Sequence, residues 1–318
     1  MSRFTAPINN AEYALRLKNL DKIYRSKDRP EGKHALKSLT LDIPRGSIFG
    51  LLGPNGAGKS TMINILAGTV VKSSGSAQVW GVDIDENPRQ ARANIGIVPQ
   101  ELNIDAYFTP RETLDMVSGM FGVPKSERRV DEILAEVGLT DQAHAYARSL
   151  SGGMRRRLLV GKAMVHQPPI LVLDEPTAGV DVALRQKLWD MIRTLNEQGV
   201  TIILTTHYLE EAEALCDRIA IINHGELITE ASTKDLLRGA GSKTLVLSLR
   251  DQPAALPASL AELDCVIDGG LLKITYAPDQ IAAGALLSLV NDAGLDVVDV
   301  MTEEPNLEDV FLALTKDA

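Results

Sequence analysis

Gly53-Pro-Asn-Gly-Ala-Gly-Lys-Ser60, followed by Thr61, brings glycines, a lysine and two hydroxyls into one short run. The spacing fills the pattern G-x-x-x-x-G-K-[ST]. Gly53, Gly56 and Gly58 let backbone N–H groups of the 53–61 loop turn inward around phosphate oxygens, with Pro54, Asn55 and Ala57 filling the turn between them. Lys59 then reaches the β and γ phosphates, and Ser60 offers its hydroxyl to Mg²⁺. An apolar run ends at Leu52 just before the loop, and a helix is expected from Lys59 to about Ala67. The plain alternative is a Gly-rich strand-to-helix turn, but the complete pattern in this context points to a nucleoside triphosphate.

Acidic partners come later, where Ile170-Leu-Val-Leu-Asp-Glu175 ends a buried strand in two carboxylates. Asp174 can hold the magnesium shell, and Glu175 can take a proton from the water that attacks the γ-phosphate. A strand that ends in polar residues because a loop begins is the bland reading, and the upstream phosphate loop weighs against it. Between the two motifs lies Leu150-Ser-Gly-Gly-Met154. Ser151 is a good helix N-cap, and Gly152 and Gly153 leave the first N–H groups of that helix uncovered, which makes a second anion site. One phosphate chain cannot serve two distant sites in one chain, so the second implies a nucleotide held mainly by another protomer. Arg155, Arg156 and Arg157 read as the solvated face of a helix start, with no nucleic-acid role.

The elements that position these residues follow from hydrophobic patterning. Leu15-Arg-Leu-Lys-Asn-Leu20 and Leu39-Thr-Leu-Asp-Ile43 alternate apolar with polar residues, as half-buried antiparallel strands do. Ser47 to Leu52, Ile95 to Val98, Ile170 to Leu173, Thr201 to Leu204 and Arg218 to Ile222 are continuous apolar runs, which fits a parallel sheet buried on both faces. Between Thr109 and Ala147 helical periodicity replaces strands, so a helical subdomain of about residues 101–150 interrupts the α/β core. Gly239-Ala-Gly-Ser242 reads as a hinge. Beyond it, Thr244 to Leu249, Leu271 to Tyr276 and Leu295 to Val300 read as strands, with a helix over 280–293, giving a small α+β domain. The expected division is 1–240 and 241–318.

These residues resemble the ATP-binding subunits of ABC transporters, in which the L-S-G-G motif of one subunit closes on the phosphate-loop nucleotide of a head-to-tail partner. The resemblance implies a P-loop NTPase cassette of α/β class: an N-terminal antiparallel β subdomain, a mainly parallel central sheet, an inserted helical subdomain and a small C-terminal α+β domain. Met154 stands where the family most often has Gln, a departure also found in drug- and polysaccharide-exporter branches. By the same resemblance Gln100, closing Ile95-Gly-Ile-Val-Pro-Gln100, contacts magnesium or the lytic water. His207, after Thr201-Ile-Ile-Leu-Thr-Thr206, hydrogen-bonds the γ-phosphate, and Asp181, in Ala178-Gly-Val-Asp181, crosses the dimer. Tyr24 takes the place of the aromatic that stacks on adenine, although Arg25 to His34 lengthens the loop behind it. Glu304-Pro-Asn-Leu-Glu-Asp-Val-Phe-Leu312 is similar to the C-terminal segment of ABC-2-type exporter ATPases. By composition it is an amphipathic helix with Leu307, Val310, Phe311 and Leu314 on one face.

Composition sets the outer limits. The chain has 318 residues, 45% hydrophobic, with 33 Lys and Arg against 42 Asp and Glu and a net charge of −9. That excludes a disordered chain and gives no basic footprint for nucleic acid. Cys216 and Cys265 are far apart and fit neither a disulfide framework nor a zinc site. No apolar run approaches the roughly 20 residues a membrane helix needs, and the first ten residues carry no secretory signal. The expected setting is the cytoplasmic face of the membrane, held there through a separate membrane-spanning permease. The leading expectation is an ATP- and Mg²⁺-dependent motor that dimerises on two ATP molecules and moves its cargo outward. A soluble ABC-type ATPase acting on DNA or ribosomes is the competing class, although long coiled coils and a second cassette are both missing. A nucleotide sensor without turnover would lack Glu175 or His207, and both are present.

Overall fold

In a computed structural model the described residues are 12–26, 29–239, 243–251, 256–261, 263–277, 280–303 and 306–316. The expectation for the first ten residues lies outside them, as do Ala240 to Ser242 of the expected hinge and Glu304 and Pro305 of the tail motif. The chain divides into two compact units, Met1–Ala231 and Ser232–Ala318.

The first unit opens as the leucine alternation requires. Strands β1 (Tyr13–Ser26) and β2 (Arg29–Pro44) pair antiparallel, with Leu15 opposite Ile43, Leu17 opposite Leu41 and Leu20 opposite Leu39, all buried. The segment from Arg25 to His34, expected to lengthen the loop behind Tyr24, is largely strand. The two strands continue through Tyr24 opposite Lys33 to Ser26 opposite Arg29, because ladder hydrogen bonds satisfy the backbone whether the side chains are polar or not. Next come β3 (Ile48–Leu52), α1 (Lys59–Leu66), β4 (Ser74–Val79), β5 (Val82–Asp83), α2 (Pro88–Ala93) and β6 (Ile95–Val98). β4 and β5 complete a four-stranded antiparallel sheet of order β2-β1-β4-β5.

Helices α3 (Pro110–Met120), α4 (Val130–Glu136) and α5 (Gly152–Met164) follow without an intervening strand. A capping box of Thr109 and Glu112 starts α3, and Leu114, Val117, Ile133 and Leu134 turn inward. The chain then lays down β7 (Ile170–Asp174), α6 (Val182–Glu197), β8 (Thr201–Thr205), α7 (Leu209–Leu215), β9 (Arg218–Asn223) and β10 (Glu226–Ser232). The central sheet has six strands in the order β10-β9-β3-β8-β7-β6, and the pairs from β9 through β6 are parallel. Burial of every residue in β3 and β8 explains their unbroken apolar runs. The loops after β3, β6, β7 and β8 therefore leave the same edge of the sheet, where parallel α/β folds place their ligands.

The second unit contains α8 (Thr233–Gly239), β11 (Lys243–Leu249), β12 (Asp264–Asp268), β13 (Leu271–Tyr276), α9 (Ala283–Asp292), β14 (Val297–Glu303) and α10 (Leu307–Lys316). Its antiparallel sheet has the order β12-β13-β11-β14, and Leu245, Leu247, Leu272 and Ile274 pack with Leu286 and Val290 of α9. Leu307 and Val310 are buried, in keeping with the expected apolar face of the last helix. No described helix is long and apolar enough to cross a membrane.

Candidate functional site

The loop between β3 and α1 can exist only because of its glycines. A Cβ at Gly53 would lie 2.1 Å from the Ile222 carbonyl oxygen, and Gly58 has φ +112° with only 2.6 Å to the Ala35 oxygen. Gly58 caps α1 without any side-chain hydrogen bond, so the first N–H groups of that helix are left for an outside acceptor. Lys59 is the first helical residue and only 7% exposed. Its Nζ donates to the Gly53 oxygen at 2.5 Å and the Pro54 oxygen at 3.2 Å, curling back over the loop. Burial pulls its pKa down, and the carboxylates of Glu175 and Asp174 oppose that.

The ends of the neighbouring strands face the same loop. Tyr24, Lys33, Asn55 to Thr61, Gln100, Asp174 and Glu175 line one cleft of about 180 Å³. Glu175 has φ +47° and is held by its backbone N–H, which donates to the Thr205 oxygen at 2.9 Å. Both of its carboxylate oxygens are engaged: Gln100 Nε2 donates to Oε2 at 2.7 Å, and His207 Nδ1 lies 3.0 Å from Oε1. Asp174 accepts a hydrogen bond from the Thr205 hydroxyl through Oδ1. Thr205 is not among the expected site residues, since a threonine inside an apolar strand reads as an ordinary β-former. Glu211, in α7, is fully buried and accepts from Trp189 Nε1 at 3.1 Å.

The donor set suits a hard cation that shares its shell with a phosphate. Gln100 spends its amide N–H on Glu175 and keeps its carbonyl oxygen, while Asp174 keeps Oδ2. Ser60 is exposed beside them. Among the described residues no group of three or more His, Cys, Asp or Glu forms a cage of its own. Mg²⁺ sites made from one or two carboxylates plus substrate phosphates have this sparse character.

Ser151, Gly152, Gly153 and Asp181 do not line that cleft. Ser151 caps α5, its hydroxyl accepting from the Met154 N–H at 3.2 Å. Asp181 caps α6 by accepting from the Leu184 N–H at 2.9 Å, and the Leu184 side chain fills the space in front of Gly153. Gly152 faces open space, with nothing within 4 Å of where a Cβ would stand. Tyr24 sits at the rim of the cleft, 39% exposed, with Lys22 Nζ 4.7 Å from its ring centre.

The arginine run is not a solvated face. Arg155 donates to the Leu150 oxygen, Arg157 to the oxygens of Val137 and Gly138, and Arg156, 4% exposed, to those of Pro99 and Gln100. Each guanidinium closes a stretch of chain whose carbonyls would otherwise be unpaired, which sequence adjacency conceals.

Comparison with known proteins agrees with this geometry. The family described as "ABC transporter" matches residues 36–178. Linearmycin resistance ATP-binding protein LnrL of Bacillus subtilis (strain 168) is 36% identical over 315 residues, spanning 95% of this chain and 98% of that protein. The Nod factor export ATP-binding protein I of Ralstonia nicotianae is 38% identical over 281 residues, 87% of this chain and 88% of that one. A solved dimer of the ATP-binding cassette MJ0796 in a post-hydrolysis state with ADP and Pi superposes with TM-score 0.61 at 29% identity, covering 69% of this chain and 98% of that one.

Proposed function

Because this chain belongs to the ABC transporter family, we propose that it binds and hydrolyses ATP to drive export through a separate membrane permease, working as a head-to-tail pair with a second copy of itself. The observation that carries the reading is the meeting of Lys59, Asp174, Glu175 and Gln100 in one cleft around an uncapped helix N-terminus. In this reading residues 1–240 are the cassette and 241–318 an accessory domain.

The loop of Gly53 to Thr61 holds the triphosphate by its N–H groups, and Lys59 exchanges its two backbone carbonyls for β- and γ-phosphate oxygens. Tyr24 supports the adenine edge from the rim. Ser60, Gln100 and Asp174 hold Mg²⁺, which when bound neutralises charge on the phosphate oxygens. Glu175, aimed by Gln100 and His207, takes the proton of the attacking water. His207 can swing from Glu175 to the γ-phosphate, which makes its state dependent on whether that phosphate is present. Ser151, Gly152, Gly153 and Asp181 serve the partner's nucleotide, in line with their place outside this chain's own cleft. ATP contacts made only in the closed pair shift the equilibrium to closure, and loss of the γ-phosphate releases it.

For the permease, the support is a second cleft of about 380 Å³ lined by Ile97, Val117, Phe121 and His166 with Arg92 and Lys162. Leu102, Tyr107, Met116, Met120 and Phe121 are exposed around the helical subdomain and would offer a partner apolar contacts. Held there, the protein sits at the cytoplasmic face of the membrane, and no described helix is long and apolar enough to cross it. A DNA- or ribosome-directed role is set aside: the relatives are named as ATP-binding proteins of linearmycin resistance and Nod factor export, and the helices between the motifs are short. The test is phosphate release from Mg-ATP by the purified protein, which Lys59→Ala should reduce to background. Release near the wild-type rate in that variant would overturn the site.

A further inference from the structure

A cation buried to 4% exposure calls for an explanation that helix formation does not supply. Arg156 lies in α5, whose N-cap is Ser151. Its Nη1 donates to the Pro99 oxygen at 3.2 Å and the Gln100 oxygen at 2.7 Å, across a sequence separation of 56 residues in the second case. The Gln100 side chain in turn donates to Glu175 at 2.7 Å. One continuous chain of hydrogen bonds thus runs from the second turn of α5 to the carboxylate read as the base. Arg156 Nε is buried and meets no acceptor among the described residues, so the side chain is held for what Nη1 does. Burial lowers its pKa while Asp174 and Glu175 raise it, which places its charge within their field.

We propose that Arg156 is a positioning residue that fixes the main chain of Gln100, keeps the Gln100 amide on Glu175, and so ties the helix serving the partner's nucleotide to hydrolysis at its own cleft. The proposal rests on the function argued above. When closure draws Ser151 toward a triphosphate, α5 moves as a rigid rod, and Arg156 carries that displacement to the backbone at Gln100. Each nucleotide site then senses occupancy of the other through one guanidinium. A neutral side chain of similar volume would fill the same space but transmit nothing, since packing contacts slide where a pair of hydrogen bonds holds.

The experiment uses the full chain in the phosphate-release assay, with wild type, Lys59→Ala, Arg156→Met, Arg156→Lys, Gln100→Ala and the Arg156→Met/Gln100→Ala double variant. Arg156→Met is expected to lower kcat about ten- to a hundred-fold while KM for ATP stays within about three-fold, because the ground-state phosphate contacts are untouched. Arg156→Lys should recover most of that loss. The double variant should be no slower than Gln100→Ala alone, since both changes break the same chain. Wild-type kcat in Arg156→Met, a rise in KM alone, or losses that multiply in the double variant would overturn the proposal. If Arg156→Met does not fold by thermal melt, Arg156→Gln, which keeps an amide donor for the carbonyls, replaces it: a smaller kcat loss that vanishes in the Gln100→Ala background supports the proposal, and a loss that persists there refutes it. An inactive wild type, or an active Lys59→Ala, would instead defeat the functional reading itself.

Discussion

Glu211 shows how one buried side chain can tune the ground under a reacting site. Trp189 Nε1 donates to its Oε1 at 3.1 Å. Burial pushes this carboxyl above the ordinary carboxylate range, and hydrogen bonding from Thr206, Thr177 and Trp189 with the charge of Arg185 opposes it. The folded state therefore holds the proton more tightly than the unfolded chain. Its contribution to stability is complete below about pH 4.5 and declines as pH rises through the folded-state value. Glu211→Gln, whose amide nitrogen can meet Thr177, should melt progressively higher relative to wild type as the buffer goes from pH 4.5 to 8, by differential scanning fluorimetry. A gap independent of pH would contradict this. At this scale the sequence was most legible where phosphate chemistry dictates both residue type and spacing. Lys59, Asp174, Glu175, Gly56 and Gly58 fall together in the cleft accordingly. It was least legible for Thr205 and Arg156, whose partners come from strands and loops 31 and 56 residues away. Nothing local marks them.

At the scale of elements, α5 separates what folds the chain from what assembles it. Gly153 is packed against Leu184, but Gly152 stands in open space at the first helical position, so alanine there meets no clash. Gly152→Ala should leave the urea midpoint unchanged or raise stability by about 0.5–1 kcal/mol, since glycine is the poorer helix former. ATP turnover should nevertheless fall more than ten-fold if, as proposed, a partner's phosphates approach these bare N–H groups. Undiminished phosphate release would show that nothing comes so close. Strand patterning announced β3, β7, β8 and β9 clearly, since burial on both faces demands unbroken apolar runs. β4 escaped notice because Ser74-Gly-Ser-Ala-Gln-Val79 is small and polar, and its place is fixed by pairing with β1. β12 is likewise short, with its outer positions exposed.

At the scale of the whole molecule, the pairing is the quantity to measure. Glu175→Gln removes the carboxylate but keeps an acceptor and donor for Gln100 and His207, so nucleotide should still bind and closure should persist. Light scattering after size exclusion is expected to give twice the monomer mass with ATP and Mg²⁺, returning to the monomer with ADP. A monomer under both conditions would count against Ser151 and Gly152 meeting a partner's nucleotide. Composition speaks at this level only by exclusion. A net charge of −9 argues against nucleic acid, and no described helix can span a membrane, so the object the motor works on is not written in these residues.

The contact of Arg156 with Pro99 and Gln100 has an evolutionary corollary. It clasps the chain leaving β6 to α5, so that the segment between departs from and comes back to one spot. Segments moored this way can be exchanged, lengthened or redecorated at little entropic cost to the scaffold. Partner choice can then diverge quickly among such motors while the engine beneath stays fixed.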